Sequence, residues 1–352
     1  MHRLMRFVLL LLAVLVAGTV RAQGDFDLPE GSEAVIAETV AGGWTYLQLD
    51  ENEDCAFGTP FGFFYRPGPD ASNLLVYFQG GGACWEWVSC SGMFDTSVER
   101  LELESFRGIF DVSNPANPFQ NYATVFIPYC TGDVHIGNAE RAYSDDGKPV
   151  AHRGAHNVNQ ALRWAKAYLD EPERMVVAGA SAGSYGAIFH APRIADLYPG
   201  ADLVTIGDSG VPLLNQYEEI LEAWGAGTML RPAWGLDAEA PLTLERALSE
   251  AAAPPNMRAV VQIASDQDAI QSAFYLISGS PSFREATYAL LDTLDQEPKG
   301  SGFVVAGVDH GLLRTDQFYE YEARGASLAE WIGELISGGS VESVRCAECS
   351  VD

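Results

Sequence analysis

An α/β protein with a mainly parallel central sheet flanked by helices is the fold class the sequence predicts, and three observations predict it. Short apolar, β-branched or aromatic runs recur along the 352 residues at 34–40, 44–49, 74–78, 123–127, 175–178, 203–206, 259–263 and 303–306. Several lack the polar alternation of a strand with one face in water. Segments of helical period lie between most of them, at 157–169, 185–197, 213–224, 242–252, 269–278, 282–294 and 327–335, and strand alternating with helix is the pattern of a parallel sheet. No internal repeat, heptad run or low-complexity linker divides the chain, so one domain is expected.

In chain order, 34–40 and 44–49 open the sheet, and 74–78 (Leu-Leu-Val-Tyr-Phe) has no polar position, as a strand covered on both faces requires. Residues 123–127 follow the same rule but for Thr124, and 175–178 follow it fully and run into a glycine-rich turn and the helical segment 185–197. The runs at 203–206, 259–263 and 303–306 complete the sheet, each followed by at least one helical segment. The stretch 85–120 breaks the rhythm and is expected to be an inserted loop and short-helix region over the active face. Its Trp85, Trp87, Phe94, Phe106 and Phe110 either cover a pocket or belong to the core, with the core reading favoured.

The N-terminus carries His2, Arg3 and Arg6, then an apolar run at 7–17, then Val20-Arg21-Ala22. Those are the charged, apolar and small-residue zones of a secretory signal, too short to span a membrane. Residues 1–22 are therefore expected to be removed, leaving 23–352 as a single catalytic domain, secreted or periplasmic. Six cysteines (Cys55, Cys84, Cys90, Cys130, Cys346 and Cys349) then read as three disulfides. Cys84 with Cys90 and Cys346 with Cys349 are close enough to pair locally, while half of a zinc site at Cys346 and Cys349 lacks a second ligand pair.

Lysine plus arginine total 21 against 48 acidic residues, a formal net charge of −27. Loss of the leader removes three arginines and leaves 18 basic residues against 48 acidic, or −30. Such a surface repels nucleic acid and anionic membranes, so neither is an expected partner. It suits a salty medium, where charge is screened, as well as plain solubility.

The chemistry begins at Val176 to Gly186, V-V-A-G-A-S-A-G-S-Y-G. An apolar strand breaks into Gly179-Ala180-Ser181-Ala182-Gly183 and then into a helix, which lifts a serine hydroxyl out of a sharp turn, and glycine at both flanks removes Cβ clashes. Ser181 is the candidate nucleophile. A base, an orienting acid and a site for the oxyanion must accompany it. The strand at 74–78 runs into Gln79-Gly80-Gly81-Gly82-Ala83-Cys84-Trp85, where glycines let amides approach a substrate oxygen. Gly81, Gly82 and Ala182 are the expected donors, and the spacing fits neither a P-loop nor a dinucleotide fingerprint.

His310 follows the last strand in Gly307-Val308-Asp309-His310-Gly311 and is the expected base, because His135, His152 and His156 precede Ser181 and His190 lies in the helix after it. The acid belongs between them. Residues 259–263 open onto Ala264-Ser265-Asp266-Gln267-Asp268, with Asp266, nearest the strand end, as first choice, Asp268 as second and Asp208 as a weaker third.

Leu75 to Trp85, Gly179 to Gly186, Asp208-Ser209-Gly210, Asp266 with Ile270 and Asp309-His310-Gly311 jointly resemble the pectin acetylesterase and Notum family of serine carboxylesterases, over most of the mature chain. The resemblance implies an α/β-hydrolase fold, a Ser181, Asp266 and His310 triad, an oxyanion hole from Gly81, Gly82 and Ala182, structural disulfides and no cofactor. Gln79 and Ala83 depart from the pattern, since plant members tend to have Glu at the first position and an aromatic at the second. The expected activity is hydrolysis of O-acyl esters, above all O-acetyl esters, of carbohydrates or small molecules, by a monomer. A long-chain lipid-acyl or protein deacylase of Notum type is the alternative. Less favoured are a metal-dependent deacetylase using Asp133, His135, His152 and His156, and a binding protein that has lost its chemistry.

Overall fold

The computed structural model describes residues 36–49, 54–98, 107–144, 147–211 and 217–346. The expected leader over 1–22 lies outside them. In chain order the strands that build the main sheet are β1 (Ile36–Thr39), β2 (Thr45–Gln48), β3 (Phe63–Arg66), β4 (Asp70–Phe78) and β5 (Tyr122–Ile127). A hairpin, β6 (Ala139–Arg141) with β7 (Val150–His152), precedes β8 (Arg174–Ala180), β9 (Asp202–Asp208), β10 (Met257–Ser265) and β11 (Gly300–Val305). A second small hairpin, β12 (Glu322–Ala323) with β13 (Ala326–Ser327), comes before the last strand, β14 (Val344–Arg345). The helices are α1 (Trp87–Cys90), α2 (Gly154–Tyr168), α3 (Ala182–Leu197), α4 (Tyr217–Ala223), α5 (Gly227–Ala233), α6 (Leu244–Ala252), α7 (Ala269–Ile277), α8 (Phe283–Leu294) and α9 (Leu328–Ile336).

Among the described residues ten strands form the sheet, in the order β1-β2-β3-β5-β4-β8-β9-β10-β11-β14. The first four pair antiparallel, and every pair from β5-β4 onward is parallel. This is the predicted mainly parallel sheet, with an antiparallel margin. The strand β3 (Phe-Phe-Tyr-Arg) was not anticipated; it is short and closed by Pro67, and only pairing with β2 and β5 makes it a strand.

Central strands bury both faces, which is why their sequences lack alternation. On β4, Leu74, Val76 and Phe78 face one core with Val158 and Leu162 of α2, Ile188 and Ile194 of α3 and Leu290 of α8. Leu75 and Tyr77 face the other, with Leu328, Trp331, Ile332 and Leu335 of α9. Each such Leu, Val or Phe contributes about 1.5–3 kcal/mol on burial. The register aligns the carboxyl ends of the central strands, pairing Phe78 with Gly179, Ala180 with Asp208, Ile263 with Asp208 and Ser265 with Val305. Ligands of open parallel sheets bind beyond that edge.

In the 85–120 stretch, Trp85, Phe94 and Phe110 are buried and Trp87 is exposed, while Phe106 lies outside the described residues. Cys55 bonds Cys130 and Cys84 bonds Cys90. Cys346 is also disulfide-bonded, which removes it as a zinc ligand, and Cys349 lies outside the described residues. The helix expected at 213–224 is described from Tyr217, and α5, with Pro232 inside it, was not anticipated.

Candidate active site

Ser181 sits between β8 and α3 with φ 55° and ψ −122°, a backbone conformation that costs a non-glycine residue energy and is typical of functional sites. The flanking glycines are a steric requirement. A Cβ on Gly179 would lie 2.2 Å from the Gly183 carbonyl oxygen, and one on Gly183 would lie 2.0 Å from that of Phe78. The Ser181 N–H donates to the Asp208 carbonyl at 2.8 Å, fixing the elbow to the end of β9. Ala182 opens α3, so its amide has no preceding turn to bond.

The glycine loop lies against this elbow: a Cβ on Gly80 would fall 2.9 Å from that of Ser181. Gly82 has φ 79° and approaches the Met93 carbonyl so closely that a Cβ would meet its oxygen at 1.8 Å. Gly82 and Ala182 line a cavity with Ser181; Gly81 is not among the lining residues, and its carbonyl accepts the Asp95 N–H at 2.8 Å. The Cys84–Cys90 bridge ties the loop's far end to α1.

His310 Nδ1 is 2.7 Å from Asp268 Oδ2, with Asp268 fully buried. A proton on Nδ1 leaves Nε2 as the basic nitrogen. Asp268 is also the N-cap of α7, its Oδ1 accepting from the Ile270 and Gln271 amides at 3.0 and 2.9 Å. One carboxylate is therefore oriented by a helix end and orients an imidazole. Gly311, next to His310, is folded against the elbow, since a Cβ there would lie 3.8 Å from that of Ala180.

Asp266, the first-choice acid, does not contact His310. Its Oδ1 accepts the Gly307 N–H at 3.2 Å and its Oδ2 lies 3.1 Å from Arg284 Nε. The chain turns after β10, so carboxylates two residues apart face different neighbours. The sequence did carry a signal: Asp268 stands immediately before an apolar helical segment, the place of an N-cap. The hydrogen bonds of Asp208 go to groups other than the imidazole. Its carboxylate accepts from the Leu312 and Leu313 amides at 3.0 and 2.9 Å and from the Ser209 hydroxyl at 2.9 Å, and burial pushes it up to about 6.

The four residues of the metal reading do not converge, and no group of three His, Cys, Asp or Glu among the described residues is placed to hold an ion. His135 Nε2 meets the Gln79 carbonyl at 2.8 Å, and His152 is spanned by the Thr131 carbonyl at 2.9 Å and Tyr143 Oη at 2.7 Å. Asp133 accepts from the Thr131 hydroxyl and the His135 and Gly154 amides, and His156 is half exposed, 3.7 Å from Asp54.

Burial lowers His135 to about 4 and His190 to about 3, and lowers His152 as well, from an ordinary value of 6.5. Unfolding lets these rings take up protons, so the stability they contribute is full above about pH 6.5 and is lost as pH falls toward their folded values. Asp208 acts oppositely between 3.8 and about 6, one group against three. The melting temperature should hold steady from pH 8 to 7 and fall progressively from 6.5 to 4.5; a flat scan over that lower range contradicts this account.

The cavity beside Ser181 has a volume of about 60 Å³ and walls that include Trp85, Val134, Tyr217, Ile220, Trp224 and Phe274, with no charged side chain among the described lining. Trp224 Nε1 donates to the Cys84 carbonyl at 2.7 Å and Tyr185 Oη to that of Val211 at 2.9 Å, so both present apolar surface inward.

A serine on a strand-to-helix elbow at the carboxyl edge of a mostly parallel sheet, with a partly exposed histidine paired to a buried aspartate on later loops, defines a protein of the α/β-hydrolase fold. The chain belongs to the pectinacetylesterase family, whose model matches residues 37–220. That span holds Ser181 and the glycine loop and ends before Asp268 and His310. Over 178 residues the chain is 25% identical to the palmitoleoyl-protein carboxylesterase NOTUM of Homo sapiens, covering 47% of this chain and 35% of that one. It is 26% identical over 177 residues to pectin acetylesterase 7 of Arabidopsis thaliana, covering 47% and 45%. The chain thus spans about a third to under a half of the length of these relatives. The structure of the Wnt deacylase Notum from Drosophila matches with a TM-score of 0.66 over 90% of this chain and 97% of that one, at 19% identity, a likeness of fold.

Proposed function

We propose that the protein is a serine carboxylesterase in which Ser181, His310 and Asp268 act together. The observation that carries this reading is the 2.7 Å contact of His310 Nδ1 with buried Asp268, on a loop packed against the Ser181 elbow. His310 Nε2 takes the Ser181 proton as Oγ attacks the ester carbonyl, and Asp268 stabilises the imidazolium. The Gly82 and Ala182 amides hold the oxyanion, with Gly81 shaping the loop. Collapse expels the alcohol with the proton from His310, and water, activated by the same imidazole, releases the acid and restores the serine.

The acyl group is small. The cavity of about 60 Å³ beside Ser181 is closed in by bulky Trp85, Trp224 and Phe274, which suits an acetyl or short acyl group. The alcohol is a carbohydrate or small molecule, and a surface with net charge −27 disfavours polyanionic polymers. Residues 1–22 act as an export signal and 23–352 as one catalytic domain. The disulfides fit an oxidising compartment, and no helix among the described residues is long and apolar enough to cross a membrane.

A longer lipid-acyl group is the second reading, favoured by the uncharged, aromatic-rich cavity wall. Hydrolysis of p-nitrophenyl esters from acetate to palmitate, at low and high salt, separates the two. The expected result is a maximum of kcat/KM at acetate to butyrate. A rise toward palmitate transfers the assignment to a lipid-acyl hydrolase, and no turnover of any ester defeats both.

A further inference from the structure

Resting on the esterase reading, the two amides proposed for the oxyanion belong to different segments, Gly82 to the loop after β4 and Ala182 to the start of α3. Their spacing must be held before substrate arrives. Two buried histidines connect these segments. His135 Nε2 lies 2.8 Å from the carbonyl of Gln79, the residue that begins the glycine loop. The carbonyl of His135 lies 2.8 Å from Nε2 of His190, on the helix that begins beside Ser181. Both acceptors are carbonyl oxygens, so each ring carries its proton on Nε2 and donates it. The rings are 1% and 0% exposed, and Phe78 at the end of β4 stacks on His190 and meets His135 edge-on.

The turn carrying His135 is strained. Val134 has φ 49° and His135 φ 70°, and left-handed backbone at a β-branched residue costs on the order of 1–3 kcal/mol. Asp133 holds the turn in place, with Oδ1 accepting from the Thr131 hydroxyl at 2.6 Å and the His135 amide at 3.1 Å, and Oδ2 from the Gly154 amide at 2.7 Å. Gly186 of α3 lets the ring in, since a Cβ there would sit 3.0 Å from His135 Cδ2. Val134 lines the cavity beside Ser181, so the turn reaches the site on one side and the loop on the other.

We propose that His135 is a positioning residue of the oxyanion hole: it fixes the Gln79 carbonyl through Nε2–H and is itself tied to α3 by His190, keeping the Gly82 and Ala182 amides in register. The test compares His135→Phe, which keeps a ring but loses the donor, with His135→Gln, whose terminal amide reaches about as far as Nε2. Turnover of p-nitrophenyl acetate is measured at pH 8 per site titrated with a serine-directed phosphonate. His135→Phe should lower kcat about ten- to a hundredfold with KM within about twofold, less than removing an oxyanion donor outright, and His135→Gln should recover most of the loss. Unchanged kcat in His135→Phe, an effect on KM alone, or a Gln variant as poor as the Phe variant overturns the proposal. The tautomer of His135 in the wild-type protein, read by nitrogen-correlated NMR of the imidazoles, needs no variant to fold; protonation at Nδ1 in place of Nε2 overturns it equally. Failure of the wild type to be labelled at Ser181 would instead remove the esterase reading.

Discussion

Ser181→Ala should reduce ester turnover by at least a thousandfold, to the level left by oxyanion binding and proximity alone. The hydroxyl is the only group in the arrangement able to form the acyl-enzyme, so KM loses meaning and kcat carries the whole effect. Folding should be intact, because the elbow is held by backbone contacts, the Ser181 amide on the Asp208 carbonyl and the Ser184 amide on that of Ser181, which alanine keeps. Its left-handed conformation burdens alanine about as much as serine. The measurement is p-nitrophenyl acetate hydrolysis beside a thermal melt. Wild-type turnover in a folded Ser181→Ala protein removes the mechanism, and with it the base and acid assignments.

The second large effect separates two neighbouring carboxylates. Asp268→Asn should lower kcat by about 10³–10⁴, because an amide no longer holds the Nδ1–H tautomer or stabilises the imidazolium. Asparagine caps helices about as well as aspartate, so the start of α7 should survive and the melting temperature change little. Asp266→Asn should do the reverse. Its carboxylate, fully buried beside half-exposed Arg284, bonds the Gly307 amide, so stability should fall while kcat stays within about tenfold. Should Asp266→Asn carry the large kinetic loss and Asp268→Asn the small one, the pairing of His310 with Asp268 is not the catalytic one.

These two aspartates show where reading a sequence stops. A candidate Ser-acid-His order after successive strands can be read from the sequence, and the run Ala264 to Asp268 supplies the two leading acids, with Asp208 a weaker third. Distance from the strand end favoured Asp266. The turn after β10 sends Asp266 toward Arg284 of α8 and Asp268 onto the start of α7 and His310. The capping position of Asp268 was readable, but its second bond joins residues 42 apart, a separation that only packing brings together.

The histidines make the same point. His135, His152 and His156 with Asp133 could be read as metal donors, because ligand types at short spacing are all a sequence displays. The folded chain faces their nitrogens toward carbonyls, a tyrosine hydroxyl and Asp54, and makes His135 the link between a glycine loop and the helix after the serine.

The sequence by itself determined the alternation of strand and helix, the parallel sheet, the elbow at Ser181 and the glycines flanking it. Each follows from local sterics and from the two-sided burial that uninterrupted apolar strands require. The short strand β3 between β2 and β5, the pairing of Asp268 with His310, the absence of Gly81 from the cavity wall and the His135–His190 connection were decided by tertiary structure alone. Each depends on hydrogen bonds and close approaches between segments far apart in the chain, whose directions no local pattern encodes.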